Sequence, residues 1–195
     1  MTAQATNQHA EAELIPVTDV EIITRVQQFY YREARLLDNR QYLSWLGLLT
    51  DDLDYRIPSR FIPTPNPQQR GTEAYHAVDN ELGRGGPYQA PLRVENVFTL
   101  AIRADRAFKV NAWADNPPPR TRRFITNVEV FKTADGYQTY NNFMMTYSRH
   151  DNANFTYSGQ RRDTLREVDG ELKISRREVM HDWDVMSIPT MGLFF

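Results

Sequence analysis

Pro117, Pro118 and Pro119 set the sharpest limit on how this chain can fold. Successive prolines offer no amide donors and hold φ near the polyproline value, so the segment can neither continue a helix nor pair on both sides within a sheet. It lies in the run Trp113-Ala114-Asp115-Asn116-Pro117-Pro118-Pro119-Arg120-Thr121-Arg122-Arg123, which makes a rigid, basic corner. Beyond it, Phe124, Thr126, Val128 and Val130 alternate with Ile125, Asn127, Glu129 and Phe131, the pattern of a strand buried largely on both faces. A stiff corner feeding a buried strand suits docking; a surface loop with solvated arginines is the plainer reading of the same residues.

Composition bounds the class. The chain has 195 residues, 41% hydrophobic and 12% aromatic, which is enough for one domain over 17–195 behind a flexible arm over 1–16. Its 23 basic and 25 acidic residues leave a net charge of −2, without the positive excess that a phosphate backbone demands, so nucleic acid is not an expected partner. No apolar run approaches the ~20 residues that cross a bilayer, and the polar start lacks a leader-like pattern, so no membrane partner and a cytoplasmic location are expected. The chain has no cysteine. That excludes disulfides, zinc ribbons, thiolate nucleophiles and any iron–sulfur cluster held by this chain, since even the mixed histidine–cysteine cluster takes two thiolates.

The order of elements follows from periodicity. Thr18-Asp19-Val20-Glu21 fits a capping box, and Ile22, Val26, Phe29, Tyr30, Ala34 and Leu37 recur at helical spacing until Asp38-Asn39 breaks the helix. Tyr42, Trp45, Leu46 and Leu49 mark a second helix ending near Thr50-Asp51-Asp52. Leu53, Tyr55 and Ile57 begin the strands, with Pro58 permitting an edge strand but not a central one. Residues 63–91, punctuated by proline and glycine, read as a long loop with a helical turn or two around Glu73 to Leu82, a lid or an interface. Strands are expected over 92–103, 107–114, 124–133, 137–149, 155–168 and 172–180, with hairpin turns at Asp135-Gly136 and Asp169-Gly170. Helices first and antiparallel strands after give an α+β fold, a curved sheet of about six strands wrapped around the helices.

Candidate chemistry is sparse. None of the four histidines, His9, His76, His150 and His181, stands in a pair spaced to share a metal, and Glu73-Ala74-Tyr75-His76 gives a single carboxylate–histidine pattern where di-iron bundles need two. A stand-alone acid–base enzyme of the dehydratase or isomerase type could use His76 with Asp79, or His181 with Asp182, as a base and its orienter. Adjacent side chains on a strand point to opposite faces, which weakens the second pair.

Ordered blocks along nearly the whole chain carry a resemblance. Glu33-Ala34-Arg35-Leu36-Leu37-Asp38 and the stretch from Tyr42 to Tyr55 resemble the opening of the small (β) subunits of aromatic-ring-hydroxylating dioxygenases. The corner from Trp113 to Arg122 is similar to that family's Pro-Pro-x-Arg-Thr-Arg corner. Gly159-Gln160-Arg161-Arg162-Asp163-Thr164-Leu165-Arg166, Leu172 to Val179 and the final Leu193-Phe194-Phe195 are similar to its late strands and aromatic end. The segment 70–91 departs from the pattern.

The resemblance implies a cystatin-like cone, as in scytalone dehydratase and ketosteroid isomerase. It further implies a non-catalytic subunit with no catalytic, cofactor or metal residues of its own. Such subunits form a homotrimer carrying three α subunits, each with a Rieske [2Fe–2S] cluster and a mononuclear Fe(II), fed with electrons from NADH or NADPH through a reductase and, in many systems, a ferredoxin. The assembly adds O2 to an aromatic ring in aromatic-compound catabolism. On this reading Trp113, Asn116, Pro117, Pro118, Arg120, Arg122, Arg123, Arg161, Asp163, Arg166, Phe194 and Phe195 are candidates for subunit contacts, because bidentate arginine pairs and an aromatic end otherwise left in water call for a partner.

Overall fold

The computed structural model describes residues 14–85, 89–109, 111, 117–149, 154–185 and 190–195. The expected arm up to residue 13, His9, His150 and the corner residues Trp113 and Asn116 lie outside that set. Where the arm was expected to end, Ile15–Pro16 (β1) already pairs with Lys132 and Phe131.

Helix α1 (Val20–Asp38) starts one residue later than the capping box suggested. Asp19 is the cap, its Oδ1 accepting from the Glu21 amide at 2.8 Å, which adds a negative charge at the positive end of the helix dipole. Helix α2 is short (Tyr42–Leu46), and Leu49, expected on it, opens strand β2 (Leu49–Ile57). β3 (Ser59–Arg60) pairs with β4 (Leu82–Gly83) across the long loop, which contains 3₁₀ turns at Pro67–Gln69, Glu73–His76 and Val78–Glu81. Ion pairs fasten this loop: Arg60 to Glu81 at 2.7 Å, Arg84 to Glu178 at 2.6 Å, and Asp79 to both Arg84 (3.0 Å) and Arg162 (2.8 Å).

The main departure from expectation falls over residues 92–103, read as a strand. Only β5 (Arg93–Glu95) is extended; Val97–Arg106 is helix α3. Its start is a reciprocal cap in which Asn96 Oδ1 accepts from the Thr99 amide and Thr99 Oγ1 accepts from the Asn96 amide, both at 3.0 Å. Leu100 and Ala104, four apart, are its buried residues. Threonine in the place of the usual Glu hid the cap.

Four long strands follow: β6 (Arg120–Thr133), β7 (Gly136–Ser148), β8 (Phe155–Val168) and β9 (Glu171–His181). The sheet order is β1-β6-β7-β8-β9-β2-β5, antiparallel except for the parallel β9–β2 pair. β2 is therefore paired on both sides, and Pro58 falls just past its end instead of marking an edge. β6 is buried on one face, not two: Ile125 is buried while Phe124 is 47% exposed. A bulge at Asn127, with φ of 51°, then shifts the register between Thr126 and Glu129, so that Val130 takes the inward place.

The β8–β9 turn has positive φ at both Asp169 and Gly170, as a two-residue hairpin of primed type requires. Gly159 answers to a different need, since a Cβ there would lie 2.1 Å from the Met180 carbonyl oxygen of β9. Gly159→Ala should force the two strands apart, lowering stability by about 1–3 kcal/mol in urea unfolding.

Ile125, Val130, Met145, Tyr147, Tyr157, Leu165, Ile174 and Val179 line the inner face of the curved sheet and pack with Val26, Tyr30 and Leu37 of α1. The α+β cone expected from the sequence is the observed architecture.

Candidate functional site

The proline corner is tied to the rest of the molecule from both sides. Arg40, just past α1, donates through Nη2 to the Pro119 carbonyl at 2.9 Å. Asp38, the last residue of α1, accepts from Thr121 Oγ1 at 3.0 Å, the Arg123 amide at 2.9 Å and Arg123 Nη1 at 2.5 Å. Arg123 also donates through Nη2 to the Phe194 carbonyl at 2.7 Å. Burial lowers the pKa of Arg123, and Asp38 offsets much of that pull. Strand alternation sends Arg123 inward and leaves Arg120 and Arg122 exposed with Pro117 and Pro118. Of the corner's three arginines, Arg123 is thus spent on the chain's own packing.

Strand β8 divides its charges in the same way. Arg166 stays outside, paired with Asp52 at 2.7 Å where both side chains are largely exposed. Arg161 and Asp163, expected at subunit contacts, are 1% and 0% exposed within this chain. They belong to a buried quartet with Glu33 of α1 and Arg177 of β9. Arg177 Nη1 meets Glu33 Oε1 at 2.6 Å, and its Nε and Nη2 meet Asp163 Oδ1 and Oδ2 at 2.9 and 2.7 Å. Arg161 Nη1 reaches Glu33 Oε2 at 3.2 Å, and its Nε reaches Asn141 Oδ1 at 2.8 Å. The Tyr30 hydroxyl donates to Asp163 Oδ2 at 2.9 Å, and Trp45 Nε1 donates to Glu33 Oε1 at 3.1 Å.

The quartet is two cations and two anions, so the desolvated cluster is neutral. Burial alone would raise the Glu33 pKa, but the Arg177 and Arg161 charges outweigh it and hold the carboxyl down to about 2. Burial likewise pulls the Arg177 pKa down, and Asp163 and Glu33 more than reverse that. Burial, with Arg177 beside it, lowers the Arg161 pKa on balance despite Glu33 and Asp163.

Glu33 and Arg177 carry this cluster and were missed as functional candidates. The signal was present at one of them: Val26, Tyr30, Glu33 and Leu37 follow three- and four-residue steps, which puts a carboxylate on the buried stripe of α1.

Phe194 and Phe195, also expected to need a partner's cover, are 5% and 2% exposed. Phe194 packs on Trp45 with ring centroids 4.7 Å apart and lies under the Arg103 guanidinium at 4.6 Å. Phe195 enters the cone beside Tyr157 and His181. The aromatic end is covered by the chain itself.

Neither acid–base pair forms. His76 is exposed, and Asp79 is engaged by Arg84 and Arg162. His181 is buried while Asp182 points to solvent, as alternation requires. Burial lowers the His181 pKa to about 4 against the opposing pull of the Ser158 carbonyl and Asp182, and among the described residues neither ring nitrogen makes a hydrogen bond of normal geometry. Among the described residues no three His, Cys, Asp or Glu side chains are grouped to hold a metal, and no helix is long and apolar enough to cross a membrane.

This arrangement can be set beside known proteins. The sequence profile of the family described as "Ring hydroxylating beta subunit" matches residues 32–188. Benzene 1,2-dioxygenase subunit beta of Pseudomonas putida is 26% identical over 182 residues, covering 90% of this chain and 89% of that one. The 3-phenylpropionate/cinnamic acid dioxygenase subunit beta of Photorhabdus laumondii is 29% identical over 180 residues, covering 90% and 92%. Among solved structures, a chain of naphthalene 1,2-dioxygenase with indole bound in its active site superposes with a TM-score of 0.77 at 19% identity, covering 99% of this chain and 95% of that one. ActVI-ORFA of Streptomyces coelicolor shares the cone at a TM-score of 0.54 and 17% identity, covering 83% and 98%. With its profile match running from the last turns of α1 to beyond β9, the chain belongs to the ring-hydroxylating beta-subunit family.

Proposed function

We propose that this chain is the supporting, non-catalytic subunit of a terminal oxygenase that adds O2 to an aromatic ring, and that it assembles as a trimer carrying three metal-bearing α subunits. The observation that carries the reading is the filled cone: its interior is packed with a neutral ion quartet, Trp45 and the chain's own Phe194 and Phe195. A cysteine-free chain does not fit a Rieske cluster, which needs two thiolates. That cluster and the mononuclear iron belong, on this proposal, to the α subunit, with NADH or NADPH acting through a reductase and, where present, a ferredoxin. No chemical step is assigned to residues of this chain.

The subunit contacts are proposed at Pro117, Pro118, Arg120, Arg122 and Arg166, together with Trp113 and Asn116. Arg122 has the best setting. It follows prolines that cannot flex, in a corner pinned by Arg40 and Asp38, so little entropy remains to be lost when it binds. Arg122→Ala should leave the thermal stability of the isolated chain within about 0.5 kcal/mol, as for an exposed side chain. Subunit association should weaken, and Arg122→Lys should recover only part of it, because an ammonium lacks the two-pronged geometry. Sedimentation equilibrium of the isolated chain tests the reading: a trimer that Arg122→Ala loosens is expected, and a monomer over a wide concentration range would contradict it.

A further inference from the structure

Residues 190–195 form a strap over the cone, fastened by side chains reaching to its carbonyls. Tyr157 donates to Thr190 at 2.8 Å, Arg103 to Leu193 at 2.8 Å, Arg123 to Phe194 at 2.7 Å and Arg177 to Phe195 at 3.0 Å. A cavity of about 40 Å³ runs beside it, bounded by Tyr42, Pro119, Tyr147 and Leu193, so the strap is not packed tight along its whole length. Its inner end delivers the Phe195 ring to His181, edge-on at 4.6 Å, with Tyr157 at 5.5 Å and Phe143 at 5.9 Å.

His181 is out of keeping with a simple plug. The residue is 4% exposed and stacked on Trp183 at 5.4 Å, and among the described residues neither ring nitrogen has a hydrogen-bond partner of normal geometry, the Ser158 carbonyl acting on the ring only off-line. Buried polar groups left this way are rare and costly, and a leucine or phenylalanine would fill the place without that cost. Phe195 supplies ring contacts to the imidazole but nothing for it to bond.

We propose that the space filled by the Phe195 ring is a latent binding site for a monocyclic phenol, with His181 as its hydrogen-bonding group and Phe195 as the built-in competitor. The ligand's ring takes the contacts with Phe143 and Tyr157. Its hydroxyl takes one imidazole nitrogen, and because neutral imidazole carries one donor and one acceptor, the bond forms in either sense. An aromatic acid fits less well, since the two arginines that bond the backbone here are already paired, Arg177 with Glu33 and Asp163 and Arg60 with Glu81. The inference rests on the strap and His181, independently of the subunit reading.

The test is calorimetric titration of the full-length Phe195→Ala chain, which keeps the backbone bonds at 195, with phenol and with toluene. Phenol should bind at least about tenfold more tightly, the effect of one net hydrogen bond in a buried site. Adding His181→Leu should erase that preference and spare toluene binding to the apolar space. Equal or tighter binding of toluene to Phe195→Ala, or no binding of either by the folded variant, overturns the proposal. Should the variant not fold, the wild-type chain decides by NMR: excess phenol, but not toluene, should shift the His181 ring signals and the Phe195 amide, and unmoved His181 signals overturn it.

Discussion

Replacing Glu33 by Gln will lower the stability of the chain by about 3–5 kcal/mol, although the amide nearly matches the carboxylate in shape. The change leaves Arg161 and Arg177, each 1% exposed, to share the single charge of Asp163. An uncompensated buried cation is costly because the interior cannot replace the water it gave up. The double variant Glu33→Gln/Arg161→Gln restores neutrality and should be less destabilised than the two single changes summed, since residues in one network do not act additively. Urea unfolding at a fixed assembly state measures all three. Acid provides a second reading of the same group. The Glu33 carboxyl falls from its ordinary 4.5 to about 2 on folding. The unfolded chain therefore binds the extra proton between those values, and the stabilisation is fully present above pH 4.5 and lost as pH falls through 2. The contribution is on the order of 3 kcal/mol. The wild-type urea midpoint should drop more steeply than that of Glu33→Gln across this window; parallel curves would mean that the quartet does not hold the carboxylate ionised.

Asp38→Ala should cost a similar amount, about 3–5 kcal/mol, for a related reason. Asp38 and Arg123 have side chains only 4% and 5% exposed. Removing the carboxylate leaves Arg123 buried with two uncharged partners, the Phe194 carbonyl at 2.7 Å and the Thr121 hydroxyl at 3.2 Å, and removes the acceptor for Thr121 and for the Arg123 amide. The double variant Asp38→Ala/Arg123→Met, which buries no unpaired charge, should recover much of the loss. Because Asp38 also joins α1 to the strand that follows the prolines, Asp38→Ala should loosen subunit association at protein concentrations where the chain is still folded, measured by light scattering. Association as tight as wild type in the folded variant would show that the corner needs no anchor.

The reach of the sequence differs between surface patterns and interior charges. Hairpin turns, long strands and the helix stripe were legible because glycine, Asp-Gly and apolar spacing report local geometry. Residues 92–103 misled because Asn96 and Thr99 cap the helix without the usual Glu, and β6 misled because the bulge at Asn127 shifts the phase of the alternation. Arg161 and Asp163, two apart on one strand, share a face, but alternation cannot say which face is inward. Their partners, Glu33 and Arg177, are far away in sequence, and only the closed sheet brings them together. Phe194 and Phe195 seemed to need a partner because nothing local tells a chain end that folds back into its own cone from one that stays outside.

One measurement bears most directly on the claim that the chemistry lies in another chain: purification of the tagged protein from its native host, with the mass and visible spectrum of whatever accompanies it. The account predicts a larger chain with the absorbance of a Rieske cluster in equal amount, in a complex of three copies of each. The chain emerging alone and monomeric, while aromatic-ring hydroxylation persists in the remaining lysate, would contradict it.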